Sequence, residues 1–206
     1  MPTPLPTPKA VVFDLGKVLV DFDYQLAARR LAPLSRLDID AFRRLIDQSP
    51  LLHELETGRI DFPTLVGVMV RETGYAGSLE FFQEAFTDIF TAIPEVIGLH
   101  AELRARGVPT YLLSNTSGVA SDHVRRRFPF FAHFDGYVMS HEVGHMKPAA
   151  PIYEALERMA GLNGADLLYL DDRIDNIEAA LARGWQALLH QDASASVAGV
   201  RSRLGW

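Results

Sequence analysis

The sequence predicts an α/β fold: a three-layer α/β/α core on a parallel sheet, with a small helical cap inserted after the first strand. Three observations carry this expectation. Five apolar runs recur along the chain, each too short to be a helix. Helical patterns of single-crossover length separate the later runs, which implies parallel strands with helices on both faces. One interval breaks the rhythm: 99 residues lie between Asp14 and Ser114, far more than a crossover needs, and they read as helices only.

The strands expected are Ala10–Phe13, Thr110–Leu113, Gly136–Met139, Leu167–Leu170 and Gln186–Leu189. In the long interval, helices are expected over Tyr24–Leu34 and Asp40–Asp47. Phe62–Glu72 follows, with Asp61 as N-cap and Pro63 in the first turn, then Leu79–Phe90 behind the N-cap Ser78. Glu95–Arg106, Val119–Phe128, Ile152–Met159 and Asp175–Arg183 complete the crossovers, the last stopped by Gly184. This divides the chain into a core of residues 1–21 and 94–206 and a cap of residues 22–93. The stripe Phe82, Phe86, Ile89, Phe90, Ile93 has helical spacing and reads as cap core. Phe128, Phe130, Phe131 and Phe134 read as core or a buried loop, and Arg125–Arg127 as a solvated helix face.

Composition removes several classes of function. The chain has 206 residues, 48% hydrophobic and 22% charged, which suits a soluble globular domain able to bury its own core. It has no cysteine, so disulfides, zinc thiolates and cysteine nucleophiles are excluded. A net charge of −6 gives no global attraction to nucleic acid or to an anionic membrane. No apolar run approaches the roughly 20 residues that a membrane span needs. The proline-rich start, Met1–Lys9, reads as an extended tail rather than a signal peptide, so a cytoplasmic location is expected. The seven histidines show no HxH or HExxH spacing, so no zinc site is expected. Arg outnumbers Lys 17 to 3, which singles out Lys9, Lys17 and Lys147.

Four motifs sit at or beyond the C-terminal ends of expected strands, where open parallel sheets build their sites. They are Asp14-Leu15-Gly16-Lys17, Ser114-Asn115-Thr116, Lys147-Pro148, and Asp171-Asp172-Arg173-Ile174-Asp175-Asn176. Alone, each has a plain structural explanation: a strand-end cap, a turn, a surface lysine, a helix N-cap. Together, Asp14, Asp171, Asp172 and Asp175 would crowd carboxylates that repel one another and take up protons. A hard divalent cation with oxygen ligands, Mg²⁺ first, resolves that conflict. A cation, a lysine, a hydroxyl and loop amides suit a phosphoryl group, and a carboxylate nucleophile would form an aspartyl-phosphate that water cleaves. Lys17 stands beside Asp14 and can reach either the site or solvent. His53, Glu54, Glu56 and Arg59 read as helix-surface or cap-core residues rather than substrate ligands.

In order and spacing, Asp14, Ser114, Lys147 and the Asp171/Asp172/Asp175 group resemble the four motifs of the haloacid dehalogenase-like (HAD) hydrolase superfamily. The segments FDLGKVLVDFD, LSNT, HMKPAAPIYEAL and LDDRIDNIEAA are similar to one branch of it, as is the cap segment His53–Ile60. That branch includes bacterial α-D-glucose-1-phosphate phosphatase and the phosphatase domain of soluble epoxide hydrolase. The resemblance covers nearly the whole chain and implies a Rossmann-like core. It implies a Mg²⁺-dependent phosphatase of a small phosphorylated metabolite, such as glucose 1-phosphate, working as a monomer or a homodimer. It makes Asp14 the nucleophile and, with the Gly16 carbonyl and Asp172, a metal ligand. Ser114 and Asn115 would bind the phosphate, and Lys147 would neutralise it. Asp171 and Asp175 would orient the metal waters and Lys147.

One position departs from the family pattern. Most of its phosphatases carry a second Asp two residues after the nucleophile, as acid and base; here that residue is Gly16. Losing such a group forfeits about 10²–10⁴ in rate. Asp21, Asp23, His141, Glu142 and His145 are candidate substitutes. Alternatively, the substrate has a leaving group that needs little help, an anomeric or acyl phosphate, or the protein is inactive. Three rival functions follow. A 2-haloacid dehalogenase would carry Tyr at position 16 and lack the Asp171-Asp172 doublet; a phosphomutase would need the missing acid; a binding protein would hold phosphate esters without turnover.

Overall fold

The computed structural model describes residues 5–206, so the first four residues of the expected tail lie outside it. Five strands form one parallel sheet: β1 (Ala10–Phe13), β4 (Thr110–Ser114), β5 (Gly136–Met139), β6 (Leu167–Asp171) and β7 (Gln186–Leu189). Their order is β5-β4-β1-β6-β7, with β1 central. All five expected strands are present, two of them one residue longer.

The sheet is buried on both sides, which is why its strands read as unbroken apolar runs rather than alternating ones. Val11 and Phe13 of β1 pack one way, among Leu99 and Leu103 of α6 (Pro94–Ala105), Val124 of α7 (Gly118–Arg127) and Val200 of α11 (Ala193–Leu204). Ala10 and Val12 pack the other way, among Ile152 and Leu156 of α9 (Ala150–Ala160) and Ile177 of α10 (Ile174–Ala182). A single turn, α8 (Ser140–Val143), follows β5. Phe128, Phe131 and Phe134 are buried in the first of these clusters, and Arg125–Arg127 are exposed, both as expected.

The insert has its own apolar cluster, built by α1 (Tyr24–Leu31), α2 (Ile39–Asp47), α3 (Pro50–Glu56), α4 (Phe62–Thr73) and α5 (Leu79–Thr87). Side chains of Asp23, Asp38, Ser49, Asp61 and Ser78 cap the starts of these five helices by accepting backbone N–H bonds. Gly74 ends α4 in the left-handed conformation, at φ 67°.

The expectation of helices alone in this interval is corrected. β2 (Val20–Phe22) and β3 (Phe90–Ala92) pair antiparallel where the insert leaves and rejoins the core. The helix starting at Leu79 therefore stops at Thr87, and the aromatic stripe divides. Phe82, Phe86 and Ile89 are buried in the apolar cluster of the insert, while Phe90 lies on β3 opposite Phe22. Pairing across the neck overrides the local helical pattern. Among the described residues, no helix is long and apolar enough to cross a membrane.

Candidate active site

The strand order places three motif ends side by side: Asp14 just beyond β1, Ser114 at the end of β4, and Asp171 at the end of β6, on either side of β1. Lys147 reaches the same point from the loop between α8 and α9. Its buried ammonium donates to three oxygens: Leu113 O at 2.9 Å, Asp171 Oδ2 at 2.7 Å and Asp14 Oδ1 at 2.8 Å. Burial favours loss of its proton, but Asp14 and Asp171 outweigh that and hold its pKa above the ordinary lysine value.

Asp171 is fully buried and saturated with donors. Besides Lys147 it accepts from the Tyr169 hydroxyl, the Arg173 N–H at 2.8 Å and the Asn176 amide at 3.0 Å. Burial raises its proton affinity, yet Lys147 and these donors pull the carboxyl below its usual range. Asp14 moves the other way. Desolvation dominates and, with Asp171 and Asp172 nearby, raises its pKa despite Lys147. Asp172 is half-buried and also raised, by burial first and then by Asp171.

Carboxylate oxygens of Asp14, Asp171 and Asp172 lie within 4.8 Å of one another. Asp171 is committed to its four donors, which leaves Asp14 and Asp172 as the pair free to hold a cation. Both are pushed toward neutrality by their surroundings, and a divalent ion would restore the charged form. An all-oxygen donor set, without sulfur or imidazole, fits magnesium.

A cleft of about 560 Å³ opens over this cluster between core and insert. Asp14, Gly16, Asn115, Lys147 and Asp172 line it from the core. Phe22, Tyr24, Asp47, Leu52 and Glu56 line it from the insert and its neck.

A family model for haloacid dehalogenase-like hydrolases matches residues 8–184. The chain belongs to this family. Within it, the chain is 24% identical to the D-ribitol-5-phosphate phosphatase of Bacteroides thetaiotaomicron, over 86% of this chain and 89% of that one. It is 25% identical to the sesquiterpene phosphatase astK of Aspergillus oryzae, over 96% and 97%. In fold it matches a HAD-family enzyme of B. thetaiotaomicron, solved with magnesium and inorganic phosphate, at a TM-score of 0.80 and 20% identity. That match covers 89% of this chain and 94% of the other.

Against this family background the structure corrects several expectations. Asp175 is exposed, pairs with Arg173 at 3.2 Å and makes no bond to Lys147. Its neighbour Asn176 faces the cluster instead and bonds Asp171 through its amide. The Asn115 side chain is spent on the lysine loop: its oxygen accepts the Lys147 N–H at 2.8 Å and its amide donates to the Lys147 carbonyl at 3.0 Å. Only its backbone N–H could then meet a phosphate. Ser114 is buried behind Asn115 and is not in the cleft wall; its hydroxyl makes only a long 3.5 Å contact with the Asn115 carbonyl. Lys17, in a left-handed turn at φ 60°, folds back onto Asp21 and donates to Phe22 O at 2.8 Å.

Gly16 has a steric reason. A Cβ there would stand 2.7 Å from the Phe22 ring, so Phe22 occupies the space an acid at this position would need. None of the five candidate substitutes lines the cleft. Asp21 is paired with Lys17, and Asp23 caps α1. The His141 ring is bonded to Thr116 O at 2.9 Å. His145 lines a neighbouring pocket with His53 and Arg59, which meets the cleft at Met146 and Lys147. Sequence reasoning missed Tyr24, Asp47 and Asn176 and took Glu56 for a surface or core residue. The available signal was the glycine just after it: Gly58 has φ 69°, and a Cβ there would come 2.4 Å from the His141 carbonyl oxygen. Such a contact marks a backbone docked tightly on the core.

Proposed function

We propose that this HAD-like hydrolase is a magnesium-dependent phosphatase of a small polyhydroxylated phosphate ester, a sugar or sugar-alcohol phosphate such as glucose 1-phosphate or a pentitol phosphate. In this reading residues 22–93 are the cap over a core of residues 1–21 and 94–206. The observation that carries it is the buried Lys147 ammonium, bonded at once to Asp14 and Asp171 on the cleft floor. It keeps a buried carboxylate next to fixed positive charge, which an anionic phosphoryl group must meet before a carboxylate can approach it.

Asp14 would attack phosphorus and carry the phosphoryl group as an aspartyl-phosphate, which water then cleaves. Asp14, the Gly16 carbonyl and Asp172 would hold magnesium, which when bound would neutralise phosphate charge. The Asn115 N–H would hold a phosphate oxygen, Lys147 would neutralise the phosphate, and Asp171 would orient Lys147. The cap wall argues for the rest of the substrate. Tyr24, Asp47 and Glu56 offer hydrogen bonds to hydroxyls and repel a second anionic group, and they suit a terpenoid chain poorly. The phosphatase names of the two relatives agree with the reaction class. The dehalogenase reading leaves Asp172 without a task, and a binding protein would not need the Asp14 carboxyl placed against Lys147 on the cleft floor.

The test is phosphate release with and without Mg²⁺ from glucose 1-phosphate, ribitol 5-phosphate, farnesyl phosphate and acetyl phosphate, with Asp14→Asn alongside. Metal-dependent release that falls at least about 10³-fold in Asp14→Asn supports the reading. Release from none of them, with halide release from 2-chloropropionate, overturns it.

A further inference from the structure

We propose that Glu56, carried by the cap, is the acid and base of the reaction, the task for which Gly16 has no side chain. The inference rests on the phosphatase reading above.

Three observations lead to Glu56. It lines the same cleft as Asp14, Lys147 and Asp172, and the Lys147 ammonium is close enough to lower its proton affinity. Among the described residues, no protein donor bonds its carboxylate, whereas Asp171 is saturated and Asp47 is held by Arg43 at 2.6 Å. Its backbone is pinned to the core: the Ser140 hydroxyl donates to Glu56 O at 2.6 Å while accepting the Thr116 N–H at 2.9 Å. The loop after β4, the end of β5 and the end of α3 thus meet at one hydroxyl. With Gly58 against the His141 carbonyl, this fixes the cap residue relative to the core site.

The setting suits proton transfer. Burial pushes the Glu56 carboxyl up to about 7, and Lys147 restrains the rise. Tyr24 and Asp47 of the insert face it, and Asp14, Lys17, Asp172 and Arg173 line the same cleft from the core. The Tyr24 phenol is pushed far up by burial, so it stays protonated and serves poorly as a base.

Atoms and charge balance as follows. An Asp14 oxygen forms a bond to phosphorus; the phosphorus–oxygen bond to the alcohol breaks, and its electron pair takes the Glu56 proton. Water then attacks the aspartyl-phosphate phosphorus and gives its proton to the Glu56 carboxylate. The Asp14–phosphorus bond breaks, returning a carboxylate at Asp14 and a carboxylic acid at Glu56.

The test compares Glu56→Gln with wild type in full-length protein with Mg²⁺, on a sugar-alcohol phosphate and on p-nitrophenyl phosphate. The nitrophenolate leaves without a proton, so kcat/KM for that ester reports phosphoryl transfer alone. Glu56→Gln is expected to lower kcat/KM for the alkyl ester by about 10²–10⁴ and for the aryl ester by less than about tenfold. The fall of alkyl-ester activity above pH about 7 is expected to vanish with it. An equal loss on both esters would make Glu56 a binding or structural residue, and no loss on either would remove it from the reaction. A wild type inactive on both esters, with Asp14→Asn no different, would instead sink the phosphatase reading and this inference with it. Unchanged unfolding of Glu56→Gln in urea separates lost chemistry from lost fold.

Discussion

The two walls of the cleft are built on opposite principles. On the core side the two deepest charged groups are already paired: Lys147 has three oxygen partners and Asp171 four donors. On the cap side the polar groups keep unused bonding capacity, even where Arg43 holds the other oxygen of Asp47. Asp47 Oδ1 is buried without a partner, and Glu56 has no side-chain bond. A buried polar atom left unpaired costs free energy unless something arrives to pair it. The contrast leaves the nucleophile and its lysine in a pre-organised core and gives the cap the groups that complete their bonds only with a ligand, Glu56 for proton transfer and Tyr24 and Asp47 for substrate choice.

Removing the centre of the paired wall should cost most. Lys147→Met keeps the volume but leaves Asp14 and Asp171 facing each other without the ammonium. Breaking one partner out of a buried charge network costs about 3–5 kcal/mol. Loss of a fixed charge at the reacting group costs about 10²–10³ in rate. Both losses are expected together, the first in urea unfolding and the second in kcat/KM. A variant as stable as wild type would break the contrast.

The open wall should behave differently. Tyr24→Phe removes a hydroxyl that only substrate would bond, and Asp47→Asn turns the unpaired Oδ1 acceptor neutral while loosening the bond to Arg43, each worth about 1 kcal/mol. KM for a polyol phosphate should rise by about 5–10-fold, with kcat within about twofold and no loss in Tm. Acetyl phosphate, which has no hydroxyls to recognise, should show no change in KM. A kcat loss as large as that of Lys147→Met would place these residues in the chemistry instead.

How far each wall was legible follows from the same contrast. The strands of the core sheet are short, fully buried and strongly apolar, so Ala10–Phe13 and Leu167–Leu170 announce themselves locally, and the strand ends then collect Asp14, Lys147 and Asp171. The neck was hidden because Val20–Phe22 pairs with residues some 70 positions on, and Phe90 carries a helical spacing that the pairing overrides. The confusion of Asp175 with Asn176 is a matter of rotation. Successive residues in a helix point about 100° apart, so spacing alone does not say which one faces the strand end. Glu56 lies 42 residues from Asp14 and belongs to an ordinary amphipathic helix end. Only the docking through Ser140 and Gly58 carries it to the cleft, and Gly58 is the one local trace of that docking.

The smallest effect expected separates the two walls by pH. His100 of α6 is buried in the core, stacked on Phe134 at 4.0 Å, and its Nε2 has no hydrogen-bond partner. Burial lowers its pKa from 6.5 to about 4. The unfolded chain therefore binds a proton more readily, so this group's contribution to stability is complete above pH 6.5 and is lost as pH falls through about 4. Glu56 has the opposite sign. Its folded value of about 7 exceeds the ordinary 4.5, so acidification across that interval stabilises the fold. Between pH 6.5 and 4.5 the two oppose each other in the wild type. His100→Phe, which keeps the stacked ring and removes the titration, should retain more Tm on acidification than wild type. Glu56→Gln should retain less. Differences of about 2–4 °C, what about 1 kcal/mol produces in a domain of this size, are expected in a pH series of melting curves. Shifts of the same sign in both variants would mean that the cap carboxyl is not raised by its setting, and that the open wall is less buried than the closed cleft requires.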